Sequence, residues 1–589
     1  MFNPSQLALP ISISLAALVG CSSSTNTIDV ATCLSPASLP EEQSSISGLT
    51  LLGSFVSDSP FDSSAAEIVH YDVCRDQLFV VNAQNQSIDV LSLDKDNRPA
   101  HKATLNLDKA KQNAQIEIGA ANSVATYNGL VAVAIENKNK QLDGIVAIYQ
   151  SDNLSLLATY PTGALPDMVS FSPDGRYIAT ANEGEPNSDY SNDPEGSVTL
   201  IDLAPGVKQA KVSQISFKEF NVGNTRNNEL SEQVRISAPN ATVAQDLEPE
   251  YLAFDENGKL FVALQENNAL AKIDIASQRV DAILPLGYKR WGNAQLDASN
   301  KDNLIGNFTS YDMLVGLYMP DSIDTYQVDG ETFIVSANEG DGREYGFKTT
   351  QAQCDKRGFD WDEDDYSATD KYDSKQGFCI AYSDELRGKK LDVPRAHPLH
   401  DALEDKKKLG RLKVIAPNED LQSNSSIESF GSRSFSIWNA NGEQVFDSGD
   451  QFAQIVYGQH PLYLNSSNDS NQSADDRSDD KGVEPEAIEV ATINGRQYAF
   501  IGLERQGGVM IYDISNPTDA MFLHYSNNRD FTQPVCTQIE DGECANGRYN
   551  PKAGDLGPES IHYFTRNGQH LLAVGNEVSG TTTLYRIDL

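Results

Sequence analysis

A unit of short strands recurs seven times along the chain, and no other feature restricts its fold so tightly. The best-formed copy reads Pro166-Asp167-Met168-Val169-Ser170-Phe171, then the turn Ser172-Pro173-Asp174-Gly175. It continues through residues 177–183, ending in Asn182-Glu183, and through a Gly-led strand over 196–202. Each copy opens with an acid or amide before an apolar run, turns, returns on a β-rich strand, and starts a third strand. The other copies begin at Glu67, Asn122, Glu248-Pro249-Glu250, Pro320-Asp321, Glu484-Pro485-Glu486 and Pro558-Glu559. Short strands punctuated by turn residues predict an all-β fold, and seven such units predict a seven-bladed β-propeller. Unequal spacing separates the array from WD40 repeats, and an open solenoid of stacked hairpins is the alternative. The seventh copy has three strands before Leu589, so residues 49–56 are expected to supply its outer strand.

The spacing between the fifth and sixth copies is long. It predicts an insertion over about 346–410, containing the acidic run from Asp360 to Asp365, and a polar loop over 465–480. The acidic run lacks the Gly and terminal Glu of an EF-hand loop, which leaves a solvated loop and a calcium loop as alternatives.

The N-terminus reads as an address. An apolar run over 7–19 is too short to span a bilayer and fits a signal peptide over residues 1–20. Leu18-Val19-Gly20-Cys21 resembles the lipobox of bacterial lipoproteins, although no Lys or Arg precedes the apolar run. The expectation is a protein lipidated on Cys21 and held in the cell envelope, with Ser22 favouring the outer membrane. Residues 21–46 would form a flexible tether, and 47–589 the propeller. The remaining cysteines are even in number, which suits disulfides in an oxidising compartment. Near neighbours are expected to pair, Cys354 with Cys379 and Cys536 with Cys544, leaving Cys33 for Cys74.

With 45 Lys+Arg against 84 Asp+Glu, the formal net charge is -39. Such a chain is a poor partner for nucleic acid, whose phosphates recruit cations. No sequence feature calls for an oligomer, and a monomer is expected. Salt adaptation accounts for much of the charge without any site.

The acids that open and close the repeats are a different matter. In a propeller, the start of the first strand and the end of the second share one face. That rule gathers Glu67, Asp167, Glu250, Asp321, Glu486 and Glu559 with Glu136, Glu183, Glu266, Glu339, Glu504 and Glu577 at one channel mouth. So many carboxylates cannot all ionise together without cations. Carboxylate oxygens, with the amides of Asn182, Asn338 and Asn576, suit a divalent metal, calcium foremost. Any single Asn-Glu after a strand is an ordinary turn; the repetition is what argues for a site. Arg343, Arg433, Arg477, Lys481 and Arg505 lie beside these acids. They are either balancing ion pairs or, for the arginines, a clamp for a small anionic ligand or phosphoester. Motifs for a P-loop, a dinucleotide fold, a nucleophile elbow or a zinc protease are absent from the sequence.

Several stretches together resemble one family. They are Asn338-Glu339-Gly340-Asp341-Gly342-Arg343-Glu344-Tyr345, Gly431-Ser432-Arg433-Ser434-Phe435-Ser436-Ile437-Trp438 and the segment from Asp476 to Glu486. Ala499-Phe500-Ile501-Gly502-Leu503-Glu504-Arg505 and the segment from Asn576 to Tyr585 belong with them. The chain is similar over about 49–589 to choice-of-anchor I domain proteins, related to mesenchyme-specific cell-surface glycoproteins. The resemblance implies a secreted or surface-anchored protein and an association with calcium biomineral in animal relatives. It also implies, as a label on some bacterial members, a metal-dependent alkaline phosphatase. Asn122 departs from the acid of the other copies, and Lys289-Arg290 stands where an Asp commonly follows the Lys. The two readings carried forward are a calcium-binding surface scaffold and a metal-dependent phosphomonoesterase.

Overall fold

The computed structural model describes residues 45–362, 377–540 and 543–589. Seven four-stranded antiparallel sheets dominate them. Their first strands are Val69–Asp72, Ile118–Tyr127, Pro166–Phe171, Leu252–Phe254, Ile323–Val328, Pro485–Ile493 and Pro558–Arg566. We number the sheets one to seven in that order. The first strands touch in sequence, each against the next, and the first strand of sheet seven touches that of sheet one. Gly48–Val56 pairs antiparallel with Thr581–Asp588, so the N-terminal strand completes the seventh sheet as the sequence predicts.

Strand alternation explains how the sheets pack. In Gln77–Asn82 every residue is buried. Phe79 and Val81 join the apolar cluster shared with sheet two, while Leu78 and Val80 join the one shared with sheet seven. Similar clusters fill the gaps between the other neighbouring sheets. Each fully buried large side chain contributes about 1.5–3 kcal/mol. Hydroxyls strap the inner strands together. Ser322 donates to the carbonyl of Glu486, Ser560 to that of Glu67, and Thr126 to that of Tyr71 at 2.9 Å.

The segment expected over 346–410 does not lie between sheets five and six. It interrupts sheet five itself, between Glu331–Asn338 and Ser434–Asn439, which pair directly with each other. The inserted residues build a three-stranded sheet and part of a five-stranded one. Leu403 and Leu409 of the insertion pack into an apolar cluster shared with Trp291 and Leu314, from the segment before sheet five. The spacing misled because the third strand of sheet five, around Phe435 and Trp438, stands almost a hundred residues beyond the second. The Cys354–Cys379 and Cys536–Cys544 disulfides form. Asp360–Asp362 pairs as a strand, which removes the loop reading for that part of the acidic run. Residues 363–365, Cys21, Cys33, the signal peptide and nearly all of the tether lie outside the described residues. Among the described residues, no helix is long and apolar enough to cross a membrane.

Candidate metal centre

The channel acids are placed by a backbone irregularity. In sheet three the pairing passes from Pro166 to Met168 and skips Asp167; in sheet seven it passes from Pro558 to Ser560 and skips Glu559. Asn122 and Glu486 fall in matching breaks of sheets two and six. A bulge of this kind re-aims one side chain out of the ladder. Two residues earlier the chain takes a left-handed conformation at Leu165, Met319 and Glu484, with φ of 49°, 45° and 52°. Such a conformation is costly for non-glycine residues and gathers at functional sites. It also lets the strand-end acids dock: the amides of Glu183 and Glu504 donate to the carbonyls of Leu165 and Glu484 at 2.9 and 2.8 Å. First-strand and second-strand carboxylates therefore stand side by side.

A cavity of about 560 Å³ opens at this end, lined by Glu67, Glu136, Asp167, Glu183, Asp321 and Glu559 among others. Carboxylate oxygens of Asp321, Glu339 and Glu486 come within 4.8 Å of one another, and so do those of Glu339, Glu484 and Glu504. Glu250, Glu266 and Glu577 lie within electrostatic reach of the same group. The acids predicted from the repeats thus converge.

Their charge is only partly compensated. Burial first, then the charges of Glu577 and Asp167, push Glu67 up to about 8. Burial and Glu185 push Asp167 up to about 7. Burial lifts Glu266 to about 7. Glu183, Glu250, Asp321, Glu486, Glu504 and Glu559 are all raised well above the carboxylate range by burial and by one another, and Glu577 is raised too. One buried oxygen each of Glu250, Glu266 and Glu486 has no hydrogen-bond partner among the described residues. Unpaired buried carboxylate oxygens are expensive, and a divalent cation is the partner their chemistry fits.

The other side of the mouth is neutralised by protein. Lys481 Nζ lies 2.8 Å from both Glu339 and Asp341, and Arg477 and Arg505 lie 2.6 and 3.0 Å from Glu484. Against the opposing effect of burial, these three cations hold Glu484 down at about 2. The trio Glu339, Glu484 and Glu504 is therefore already occupied by Lys481, Arg477 and Arg505. Asp321 and Glu486 face the less compensated side.

The arginines do not form a clamp. Arg343 is fully buried, gripping Glu248 at 2.8 and 2.9 Å and Asp246 at 3.2 Å. Arg433 donates to the backbone carbonyls of Asp297, Ser478 and Asp480. Arg477 and Arg505 are spent on Glu484. The amides also serve structure: Asn182 and Asn338 are buried and bonded to hydroxyls of their own sheets, at 2.9 Å to Thr199 and 2.8 Å to Ser436. Asn122 donates to the carbonyl of Pro166 at 3.1 Å.

Sequence reasoning missed Glu185, which lines the cavity, and it gave no role to Glu248 or Glu484. The duplicated Glu-Pro-Glu was the available signal. In both copies the first Glu binds arginine and the second lines up with the channel acids.

Seven sheets in cyclic contact around an acid-lined axis define an all-β protein of the β-propeller type. The choice-of-anchor I domain matches residues 67–517, and the chain belongs to that family. It is 28% identical over 332 residues to a mesenchyme-specific cell surface glycoprotein of Strongylocentrotus purpuratus, covering 52% of this chain and 40% of the relative. It is also 28% identical over 200 residues to gigasin-3a of Magallana gigas, covering 32% of this chain and 66% of that protein. The chain thus spans less than two thirds of either relative. Among solved structures, Kuenenia stuttgartiensis hydrazine synthase superposes with a TM-score of 0.40 at 11% identity, over 90% of this chain and 99% of that one. The Neurospora crassa Pan2 WD40 domain gives 0.41 at 7% identity, over 93% and 97%.

Proposed function

We propose that this protein is a divalent-cation-binding surface scaffold built on a closed seven-bladed propeller, with calcium as its ion. The single observation that supports it best is the set of unpartnered buried oxygens on Glu250, Glu266 and Glu486, within a group of carboxylates raised by mutual repulsion. Asp321, Glu486, Glu250, Glu266, Asp167, Glu183, Glu559 and Glu67 would hold the ion or ions. Glu339, Glu504 and Glu577 form the boundary with the Lys481–Arg505 side. The cation would lower the repulsion between blades and fix the mouth as a rigid platform. A cell-surface relative and the Cys21 lipobox support an envelope location, with the lipid as the membrane contact. Metal analysis of chain purified without chelator, and calorimetric titration after stripping with EDTA, test this reading.

The phosphomonoesterase reading needs a cationic arm for phosphate. Arg343, Arg433, Arg477 and Arg505 already satisfy protein acceptors, which favours the scaffold. Hydrolysis of p-nitrophenyl phosphate with calcium, zinc and EDTA distinguishes the two.

A further inference from the structure

The chain enters the ring on the face opposite the mouth. In sheet seven Asn576 pairs with Thr581 at the mouth end, and the third strand runs from there to Asp588 at the far face. Gly48 pairs with Asp588 and Val56 with Thr581, so the N-terminal strand starts at the far face and runs towards the mouth. Ser47 donates its amide to the Asp588 carbonyl at 2.8 Å. Ile46 is buried with Ile493, Tyr498 and Ile587 between sheets six and seven. Whatever precedes residue 45 therefore leaves the ring on the side away from the carboxylates.

Cys74 marks the same face. It sits in the turn that joins Val69–Asp72 to Gln77–Asn82, closed by the pair Asp72 and Gln77. Its amide donates to Asp72 Oδ1 at 3.0 Å. Its Sγ lies 3.8 Å from where a Cβ on Gly129 would stand, in the far-face turn of sheet two. Cys74 is disulfide-bonded, while Cys354 pairs with Cys379 and Cys536 with Cys544. Its partner is thus one of the two remaining cysteines, Cys21 or Cys33. A sulfur that carries a lipid cannot also carry a disulfide, so the lipobox reading of Cys21 leaves Cys33.

The reach is sufficient. From Cys33 to Ser45 the extended chain spans about 40 Å. The path crosses the far side of sheets seven and one, which touch. At that side Arg566 donates to Asp76 and Asn97 to Gln569, both at 2.6 Å. Val73, beside Cys74, is an exposed apolar side chain, and the segment carries Leu34 and Leu39 that could cover it. Pro36 and Pro40 favour an extended path for the residues before them.

We propose that Cys33 pairs with Cys74 and straps residues 34–44 across the far face, over the seam where sheet seven meets sheet one. Gly48–Val56 belongs to sheet seven and Cys74 to sheet one, so the bond locks the two ends of the ring together. The two thiols lose two protons and two electrons to a disulfide-bearing oxidant by thiol–disulfide exchange, and that oxidant leaves as a dithiol. Residues 22–32 remain as the free part of the tether, opposite the mouth. A chain held by its N-terminus then turns the acidic mouth away from the membrane, as the face presented to partners. That consequence rests on the anchor proposed for Cys21; the strap does not.

Peptide mapping of the unreduced full chain tests the strap. The expected result is a Cys33 peptide linked to a Cys74 peptide; a Cys21–Cys74 link or a Cys74 thiol overturns it. Cys33→Ser/Cys74→Ser should lower the melting temperature, and an unchanged value overturns the closing of the ring. Orientation is read on nickel-chelating vesicles that hold the mature chain through a histidine tag ahead of residue 21 and carry a membrane-resident quencher. A fluorescent amino acid replaces Gln84, in a mouth-side turn, or Glu256, in a far-face turn; both positions are exposed. Emission from position 256 should be quenched several-fold more than from 84, and the difference should shrink in the double-serine variant, whose free tether is longer. Equal quenching in the wild type overturns the orientation. Mass spectrometry of Cys21 in the native protein tests the lipid separately: an unmodified Cys21 removes the anchor, while the peptide map still decides the strap.

Discussion

Lys481 Nζ lies 2.8 Å from Glu339 Oε1, joining residues 142 positions apart in the sequence. The pair sits where the compensated half of the channel mouth meets the uncompensated half. Lys481 also contacts Asp341 at 2.8 Å and is almost fully buried. Removing one partner of such a pair strands the other charges. Lys481→Met is expected to destabilise the chain by about 3–5 kcal/mol in urea denaturation. An unchanged midpoint would show that the acids there are compensated some other way.

Neutralising the opposite side should do the reverse. Glu486 and Glu250 each carry a buried oxygen without a partner. In metal-free protein, Glu486→Gln and Glu250→Gln are expected to be neutral or to stabilise by roughly 1–3 kcal/mol, since a buried carboxyl that has to take up a proton to stay there is replaced by a neutral amide. The same changes should weaken calcium binding. Thermal melts with EDTA and with calcium read both effects.

The pH dependence follows from the sign of the shifts. Carboxylates raised in the folded state stabilise it while protonated, and that contribution is lost as pH climbs through their folded values. For Glu67 the window runs from the ordinary carboxylate range to about 8, and for Asp167 and Glu266 to about 7. Metal-free protein should therefore melt at progressively lower temperature across that window, and saturating calcium should flatten the slope. Glu484 has the opposite sign: its contribution is present above the ordinary range and disappears as pH falls towards about 2.

The inserted sheet is stapled by Cys354–Cys379, which bridges a sequence separation of 25. Replacing both by serine should loosen that sheet by up to about 3 kcal/mol, the order expected for a closed loop of this size. Limited proteolysis should then cut within the insertion while the seven sheets persist. Global unfolding on reduction would show that the insertion is integral to the ring.

Much of the ring was legible because each repeat carries its own turn chemistry and its own acid. Asp167 and Glu559 stand out in sequence as the residue after Pro, and the structure shows why: each is the bulged residue, freed from pairing to face the axis. Arg343 was less legible. Its neighbours Asn338 to Gly342 suggest an exposed loop, whereas its partners Glu248 and Asp246 lie almost a hundred residues earlier.

The account's central claim is that the mouth carboxylates share a divalent cation. Calorimetric titration of calcium into EDTA-stripped protein tests it most directly. The expected result is at least one ion per chain, at the affinity of about 10⁻⁴–10⁻³ M usual for extracellular modules or tighter, with proton release on binding and loss in Asp321→Asn/Glu486→Gln. Equal heats for wild type, variant and buffer, with no calcium effect on the melting temperature, would contradict it.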